Sequence, residues 1–412
     1  MNRVVITGVS VISALGDTVP VFWDNMQKGN HGIRPISGFD PERIHVKLAC
    51  EVPDFDPTAH GIERRDARKM DRYCQLALAA ANDAIADAGT KFKDLDPYRV
   101  GVMVSSGIGG IQTTLEEEKK RLEKGPGRVS PFLIPMMIPN MAAGNIAIAH
   151  GLKGANMAIV TACATSANAI GEGFRRIKHG YEDVMVVGGS EASIVELAAG
   201  GFDNMRALSR STDPDRASIP FDKERSGFVM GEGAAILVLE ELEHAKNRGA
   251  KIYAEVCGYG ATDDAYHITS PDPEGSGAAR AMQDAIREAG ITPEQVDYIN
   301  AHGTSTEIND RVETQAIKTA LGSHAYEVAV SSTKSMHGHM LGAAGSVEAI
   351  ICALALRDGI IPPTIGYKEP DEECDLDYVT SGKREQLIEV ALSNSLGFGG
   401  HNAVLCLKKY KG

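Results

Sequence analysis

No two cysteines of this chain are spaced as C-x-x-C. Its seven cysteines, Cys50, Cys74, Cys163, Cys257, Cys352, Cys374 and Cys406, are odd in number and widely scattered. That excludes a disulfide framework and a cysteine-based zinc site. A continuous run of about 18 apolar residues is also missing, so no membrane span is expected. The opening stretch "MNRVVITG" lacks the apolar segment and small-residue cleavage site of a signal peptide, and a cytoplasmic protein is expected. Positive charge is in deficit, the formal net charge being −13. Such a balance argues against nucleic-acid binding over the whole surface and leaves room for a local basic patch.

What is present reads as a large α/β protein. A chain of 412 residues, 43% hydrophobic and 24% charged, is too long for one ordinary core and predicts two domains or a duplicated one. "RVVITGVSVI", "VGVMVS", "NMAIVTA", "DVMVVGG" and "AAILVLE" read as buried strands. "DRYCQLALAAANDAIADAG" and "SANAIGEGFRRIKHG" read as helices. Glycine, at 44 residues, clusters in "SSGIGG", "VVGGS", "AHGTS", "GAAGS" and "GFGGHN", which predicts tight turns and close backbone approach. A weak internal echo points to duplication: "MAIVTAC" leads into a small-residue helix, and so does "EVAVSSTKSMHGHM". Two similar halves, 1–250 and 251–412, would bring both turns near a shared pseudo-twofold axis.

In "TACATSANAIGEG", Cys163 stands between a strand-like run and a helix-like one. A thiol at a helix N-terminus meets unpaired N–H groups and the positive end of the macrodipole, which favour the thiolate. A free cysteine is also a common structural core residue, and this turn alone leaves both readings open. Two further turns add chemistry. His302 in "NAHGTST" follows the strand-like "VDYIN", and Lys334, His337 and His339 follow another strand in "SSTKSMHGHMLGAAG". Together they offer a nucleophile, imidazole donors and a cation on loops after different strands.

"TACATS", "NAHGTST", "KSMHGHMLGAAG" and "NSLGFGGHN", with "IPFDKERSGFVMGEGA" and "DDAYHITSP", occur in an order and spacing that resemble the elongating β-ketoacyl-acyl-carrier-protein synthases of bacterial type II fatty-acid synthesis. The resemblance covers nearly the whole chain. It implies a thiolase-like duplicated fold, five-layered αβαβα, usually as a homodimer. It also implies an acyltransferase that forms an acyl-enzyme on Cys163 and condenses it with malonyl-acyl carrier protein, releasing CO2. By resemblance His302 and His339 donate hydrogen bonds to the malonyl thioester oxygen. Lys334, with Glu348 as acidic partner, supports the histidines, and the backbone N–H groups of Cys163 and Phe398 form an oxyanion hole. Phe398 matches a gate, Thr304 and Thr306 match pantetheine-binding positions, and Ile108, Leu133, Ala198 and Phe202 match the acyl tunnel. No metal or other cofactor is implied beyond the phosphopantetheine of the carrier.

At two positions the chain departs from the family pattern. His337 stands where threonine is common, and Leu133 stands where phenylalanine is frequent. In "GIERRDARKMDR", Arg64, Arg68 and Arg72 recur at i, i+4, i+8, with Arg65 and Lys69 beside them, so one helix would present a cationic side. The resemblance assigns acyl carrier protein docking to Arg65, Arg68, Lys69 and Arg206. Rival readings are a thiolase, which needs a second cysteine in a C-terminal Gly-rich loop, a metal site built on "HGH", a chain-length factor without the nucleophile, and a polyketide ketosynthase.

Overall fold

In the computed structural model, which describes residues 1–90 and 92–412, ten strands form one continuous sheet. They are β1 (Val4–Ile12), β2 (Val100–Ser105), β3 (Asn156–Met157), β4 (Val184–Glu191), β5 (Gly233–Glu241), β6 (Ala254–Asp263), β7 (Tyr298–Asn300), β8 (Ala329–Ser331), β9 (Val390–Gly397) and β10 (His401–Lys408). Their order is β8-β7-β9-β10-β6-β1-β5-β4-β2-β3. From the β6–β1 seam outward, each side runs through two antiparallel pairings and then two parallel ones. The first five strands are therefore arranged as the last five. The seam itself is short, pairing Val4–Ile6 with Ala254–Val256.

Helices complete five layers. The outer helix α1 (Arg72–Ala88) packs on β1 and β5, and α2 (Met141–His150) packs beside it on β2. At the centre α3 (Thr165–Lys178) and α6 (Ala344–Asp358) pack on each other and on both halves of the sheet. On the far side α4 (Ser276–Glu288) covers β6 and β10, next to α5 (Glu307–Leu321). Strands covered on both faces are apolar almost throughout, as β1 and β5 are. α1 starts where the Asp71 side chain accepts the Tyr73 N–H and stops at Gly89 in the left-handed conformation, a cap at each end.

The expected strand over "NMAIVTA" is cut short. Only Asn156 and Met157 pair, with Val102 and Met103, because this is the edge of the sheet and its outer side has no partner strand among the described residues. Met157 and Val160 are exposed there.

The two central helices meet at their N-termini through small residues. The Ser346 N–H donates to Ser166 Oγ at 2.9 Å. A Cβ on Gly345 would lie 2.8 Å from both the backbone N and the Cβ of Ala167. Gly345→Ala therefore forces the helix starts apart, and we expect it to cost about 1–3 kcal/mol, read as a lower urea midpoint at unchanged m-value. A midpoint equal to wild type would mean that this crossing is slack.

Candidate active site

Cys163 sits in a single 3-10 turn, Ala162–Ala164, directly before α3. Ala162 just ahead of it has φ +50°, a left-handed value that non-glycine residues seldom adopt, so the chain makes a sharp elbow into the helix. The segment after β9 presses on this elbow. A Cβ on Gly397 would lie 2.8 Å from the Thr161 carbonyl oxygen and 3.2 Å from the Cys163 nitrogen. Phe398, the next residue, lines the same cavity as Cys163, and its backbone N–H favours the ionised sulfur.

Cys163 is only 8% exposed and belongs to an apolar cluster with Phe228, Met230 and Leu341. Burial pushes its thiol up to about 12 against the opposing charge of Lys334, with Glu191 and Glu348 adding to the rise. The thiolate expected at a helix start is thus a neutral thiol in the resting site, because loss of water outweighs the charges that favour ionisation.

His302 follows β7, and its turn is held by a carboxylate beneath it. Glu313 of α5 accepts the His302 N–H at 2.8 Å, the Gly303 N–H at 2.7 Å and Asn394 Nδ2 at 3.1 Å. His339 follows β8 by way of the one-turn helix Lys334–His337 and is fixed by its N–H to the Val229 carbonyl at 2.7 Å. The rings of His302 and His339 lie edge to face, 5.2 Å between centroids, and Phe228 lies edge-on to His339 at 5.1 Å. Burial first, and then the Lys334 charge, hold both imidazoles well below their ordinary value, so both are neutral at pH 7. Nδ1 of each is buried without a partner. A buried orphan lone pair is tolerated better than a buried orphan N–H, so the proton belongs on Nε2.

Lys334 and Glu348 form an ion pair with both side chains sealed from solvent. Burial raises Glu348 to about 7 in opposition to Lys334. Lys334 does not line the cavity; it acts on Cys163, His302 and His339 through its field.

These turns open on a cavity of about 690 Å³. Cys163, His302 and His339 line it, together with Thr304, Thr306, Phe202, Phe398 and Arg206. The Thr304 and Thr306 hydroxyls are 2.8 Å apart, and the Phe398 ring lies 6.4 Å from that of Phe202. Ala198 packs in the Cys163 cluster. Ile108 is exposed, and Leu133 lies in a surface helix, Leu133–Met137, with no buried residue. Neither lines the cavity within one chain.

His337 faces elsewhere, its Nε2 3.0 Å from Thr333 Oγ1, and burial depresses it to about 3. It ends a helical turn, and Gly338, at φ 69°, separates it from His339. Among the described residues no group of three or more His, Cys, Asp or Glu side chains is placed to hold a metal ion, and no helix is long and apolar enough to cross a membrane.

The single cationic helix is also corrected. Arg64–Ala67 is one short helix and a new one starts at Arg72. Arg72 turns inward to Glu232 at 2.8 Å, drawn by a buried carboxylate that needs a partner. Arg65, Arg68 and Lys69 remain exposed, Arg65 and Lys69 near Asp66. Arg206 is exposed at the cavity.

Sequence reasoning missed Glu313, Glu191 and Phe228. Glu191 at the end of β4 is buried and accepts Ser106 Oγ, the Gly107 N–H and the Gly342 N–H at 2.8 to 3.1 Å, tying the "SSGIGG" turn to the turn after His339. The signal for Glu313 was its place with Asp310 and Ile317 on the inward stripe of α5, where an acidic residue demands donors.

The same arrangement recurs in known proteins. Residues 1–245 match the family model "Beta-ketoacyl synthase, N-terminal domain", and residues 253–368 match "Beta-ketoacyl synthase, C-terminal domain". The chain is 52% identical over 411 residues to 3-oxoacyl-[acyl-carrier-protein] synthase 2 of Synechocystis sp., covering 100% of this chain and 99% of the relative. It is 51% identical over 410 residues to the enzyme of the same name from Staphylococcus aureus, with the same coverage. Among solved structures it is similar to the ishigamide ketosynthase/chain length factor, with TM-score 0.92 and 38% identity, and to a β-ketoacyl synthase from Burkholderia phymatum, with TM-score 0.92 and 34% identity. Both comparisons cover 100% of each chain. A type II PKS ketosynthase solved in complex with its acyl-carrier protein gives TM-score 0.91 at 35% identity. With its thiolase-like fold and its thiol and two imidazoles on one cavity, the chain belongs to the β-ketoacyl synthase family.

Proposed function

We infer that the chain is a 3-oxoacyl-[acyl-carrier-protein] synthase that condenses an acyl group with malonyl-acyl carrier protein in fatty-acid elongation, and that Cys163, His302 and His339 carry the chemistry. One observation carries the assignment of residues: a thiol at a helix start and two neutral imidazoles converge on one cavity.

Cys163 attacks the thioester of the incoming acyl carrier. The acyl–sulfur bond to the carrier breaks, a new one to Cys163 forms, and the proton lost by Cys163 ends on the departing carrier thiol. Breaking one thioester while making another costs little, so a thiol neutral at rest serves, helped by Lys334 and the helix start as the sulfur gains charge. The backbone N–H groups of Cys163 and Phe398 stabilise the tetrahedral oxyanion. Malonyl carrier then binds and loses CO2, and His302 and His339 donate from Nε2 to the thioester oxygen as the enolate forms. A neutral donor suits this step, since an imidazolium would protonate the enolate it is meant to stabilise. The enolate carbon attacks the acyl-Cys163 carbonyl, the carbon–sulfur bond breaks, 3-oxoacyl carrier leaves, and the expelled Cys163 thiolate takes up one proton from solvent to restore the resting thiol.

Thr304 and Thr306 fit pantetheine hydrogen bonding, and Phe398 fits a gate beside Phe202. No cofactor beyond the carrier's phosphopantetheine is called for. The enzyme is a cytoplasmic homodimer with halves 1–250 and 251–412, in which the segment around Leu133 completes the acyl pocket of the neighbouring subunit. The open edge at β3 and the exposed Ile108, Phe132 and Ile134 support this assembly. The experiment is incubation with malonyl carrier protein and carriers loaded with different acyl chains, with products identified by mass. Each acceptor is expected as its 3-oxoacyl carrier, extended by one malonyl-derived unit; product formed only from coenzyme A thioesters would point to a thiolase.

Arg65, Arg68, Lys69 and Arg206 form the docking surface for the acidic carrier. Arg68→Glu with Lys69→Glu should raise the apparent KM for carrier-bound substrate roughly 10-fold and blunt its salt dependence. Acyl groups on a bare pantetheine fragment should be little affected. Equal losses with both substrates would remove this patch from the account.

A further inference from the structure

Two cysteines far from the catalytic elbow lie side by side on neighbouring strands. β6 and β10 are antiparallel, and their register jumps: Cys406 pairs with Gly258 and Leu407 with Val256. Cys257 is the extra residue of this β-bulge. In a regular strand it would share the face of Tyr259, which packs in the inner core with Val256. The bulge instead puts Cys257 on the α4 side, in the cluster of Cys406, Ala285 and Ile286. Its sulfur lies 3.6 Å from the Cys406 sulfur and 3.3 Å from the Cys406 carbonyl oxygen. Cys257 is partly exposed and Cys406 is buried.

We propose that Cys257 and Cys406 are a redox-active dithiol that a hydroperoxide converts to a disulfide between β6 and β10. A disulfide needs sulfurs about 2.05 Å apart, so closure asks for roughly 1.5 Å of approach, within reach of side-chain rotation beside a bulge. The accessible Cys257, as thiolate, attacks the peroxide. Its sulfur–oxygen bond forms as the O–O bond breaks, giving Cys257 sulfenic acid and water or an alcohol. The Cys406 sulfur then attacks the Cys257 sulfur, and hydroxide leaves as water with the Cys406 proton. The two thiols are oxidised by two electrons and the peroxide is reduced. The order follows from burial: Cys257 is partly exposed and meets the peroxide first, whereas Cys406 is buried and reaches only the Cys257 sulfur, so Cys406 resolves and does not attack. The pair sits toward the start of β6, whereas the cavity residues Asp264 and Gly400 lie past the opposite end of the two strands, so the crosslink leaves the catalytic groups untouched.

The test is mass spectrometry of the full-length enzyme after brief treatment with hydrogen peroxide. A loss of about 2 Da, a non-reduced peptide linking Cys257 to Cys406, and reversal by dithiothreitol are expected. Cys406→Ser should leave a sulfenic acid on Cys257 that dimedone traps, while Cys257→Ser should form neither product; acyl transfer to Cys163 verifies that each variant is folded. Two thiols that alkylate as freely after peroxide as before, a disulfide between other cysteines, or no dimedone adduct in folded Cys406→Ser would each overturn the proposal. If a variant fails to fold, the wild-type peptide map decides alone.

Discussion

Cys163→Ala is expected to lose condensation by a factor on the order of 10⁴ or more, the scale seen when an enzymic nucleophile is removed. The cavity, the imidazoles and the Lys334–Glu348 pair all remain in this variant, but nothing is left to hold the acyl group between the two half-reactions. Cys163→Gln should likewise fail to condense while still decarboxylating malonyl carrier. Its side-chain amide places a carbonyl where the acyl thioester would be, under the N–H groups of residues 163 and 398. The malonyl half-site thereby meets its acyl-enzyme state. The assay measures acyl transfer and CO2 release separately. Condensation surviving Cys163→Ala would remove this residue as nucleophile, and silence of both activities in a folded Cys163→Gln would mean that the half-sites are not separable as described.

The second large effect separates two imidazoles only two positions apart. His339→Ala removes one of two preorganised donors to the enolate oxygen and should cost roughly 10²- to 10³-fold in decarboxylation, with acyl transfer to Cys163 far less affected. His337→Thr should keep most activity, because that ring bonds Thr333 and does not reach the cavity. A loss in His337→Thr as deep as in His339→Ala would refute the assignment. The pH profile carries an independent check. The His302 and His339 values lie well below 6.5 in the folded protein. Both rings therefore stay neutral as pH falls through 6.5, and decarboxylation should show no inflection there; any imidazole limb belongs at lower pH. An inflection near 6.5 that disappears in His339→Ala would show a solvated ring and contradict the burial on which the neutral donors depend.

The parts legible in the sequence are those where one residue type can do only one thing. Runs such as "VGVMVS" and "DVMVVGG" are apolar on both faces and suit only covered strands. The run after Cys163 was legible as the helix α3, though the turn alone left the role of the thiol open. Other features depend on what lies across the fold. The cationic helix broke because Asp71 caps α1 and because Glu232, 160 residues away, takes Arg72. The thiolate expected at Cys163 yielded to desolvation, a property of the packed cluster of Phe228, Met230 and Leu341 and not of the local "TACATS" motif. Glu313 could be read as one more charge on a helix until its three donors, from the His302 turn and β9, were in place. Ile108 and Leu133 lie away from the cavity of the single chain, a placement that depends on the packing of their turn and surface helix and not on any pattern along one strand or helix.

The central claim is that acyl groups pass through Cys163, and it is tested most directly by locating the acyl group during the reaction. The enzyme is incubated with acyl carrier protein bearing a saturated acyl chain, digested, and mapped by mass spectrometry before and after addition of malonyl carrier protein. The account predicts one acylated peptide, carrying the chain on Cys163, which malonyl carrier discharges as 3-oxoacyl carrier appears in equal amount. Acylation at another residue, or 3-oxoacyl product formed while Cys163 stays unmodified throughout, would contradict it.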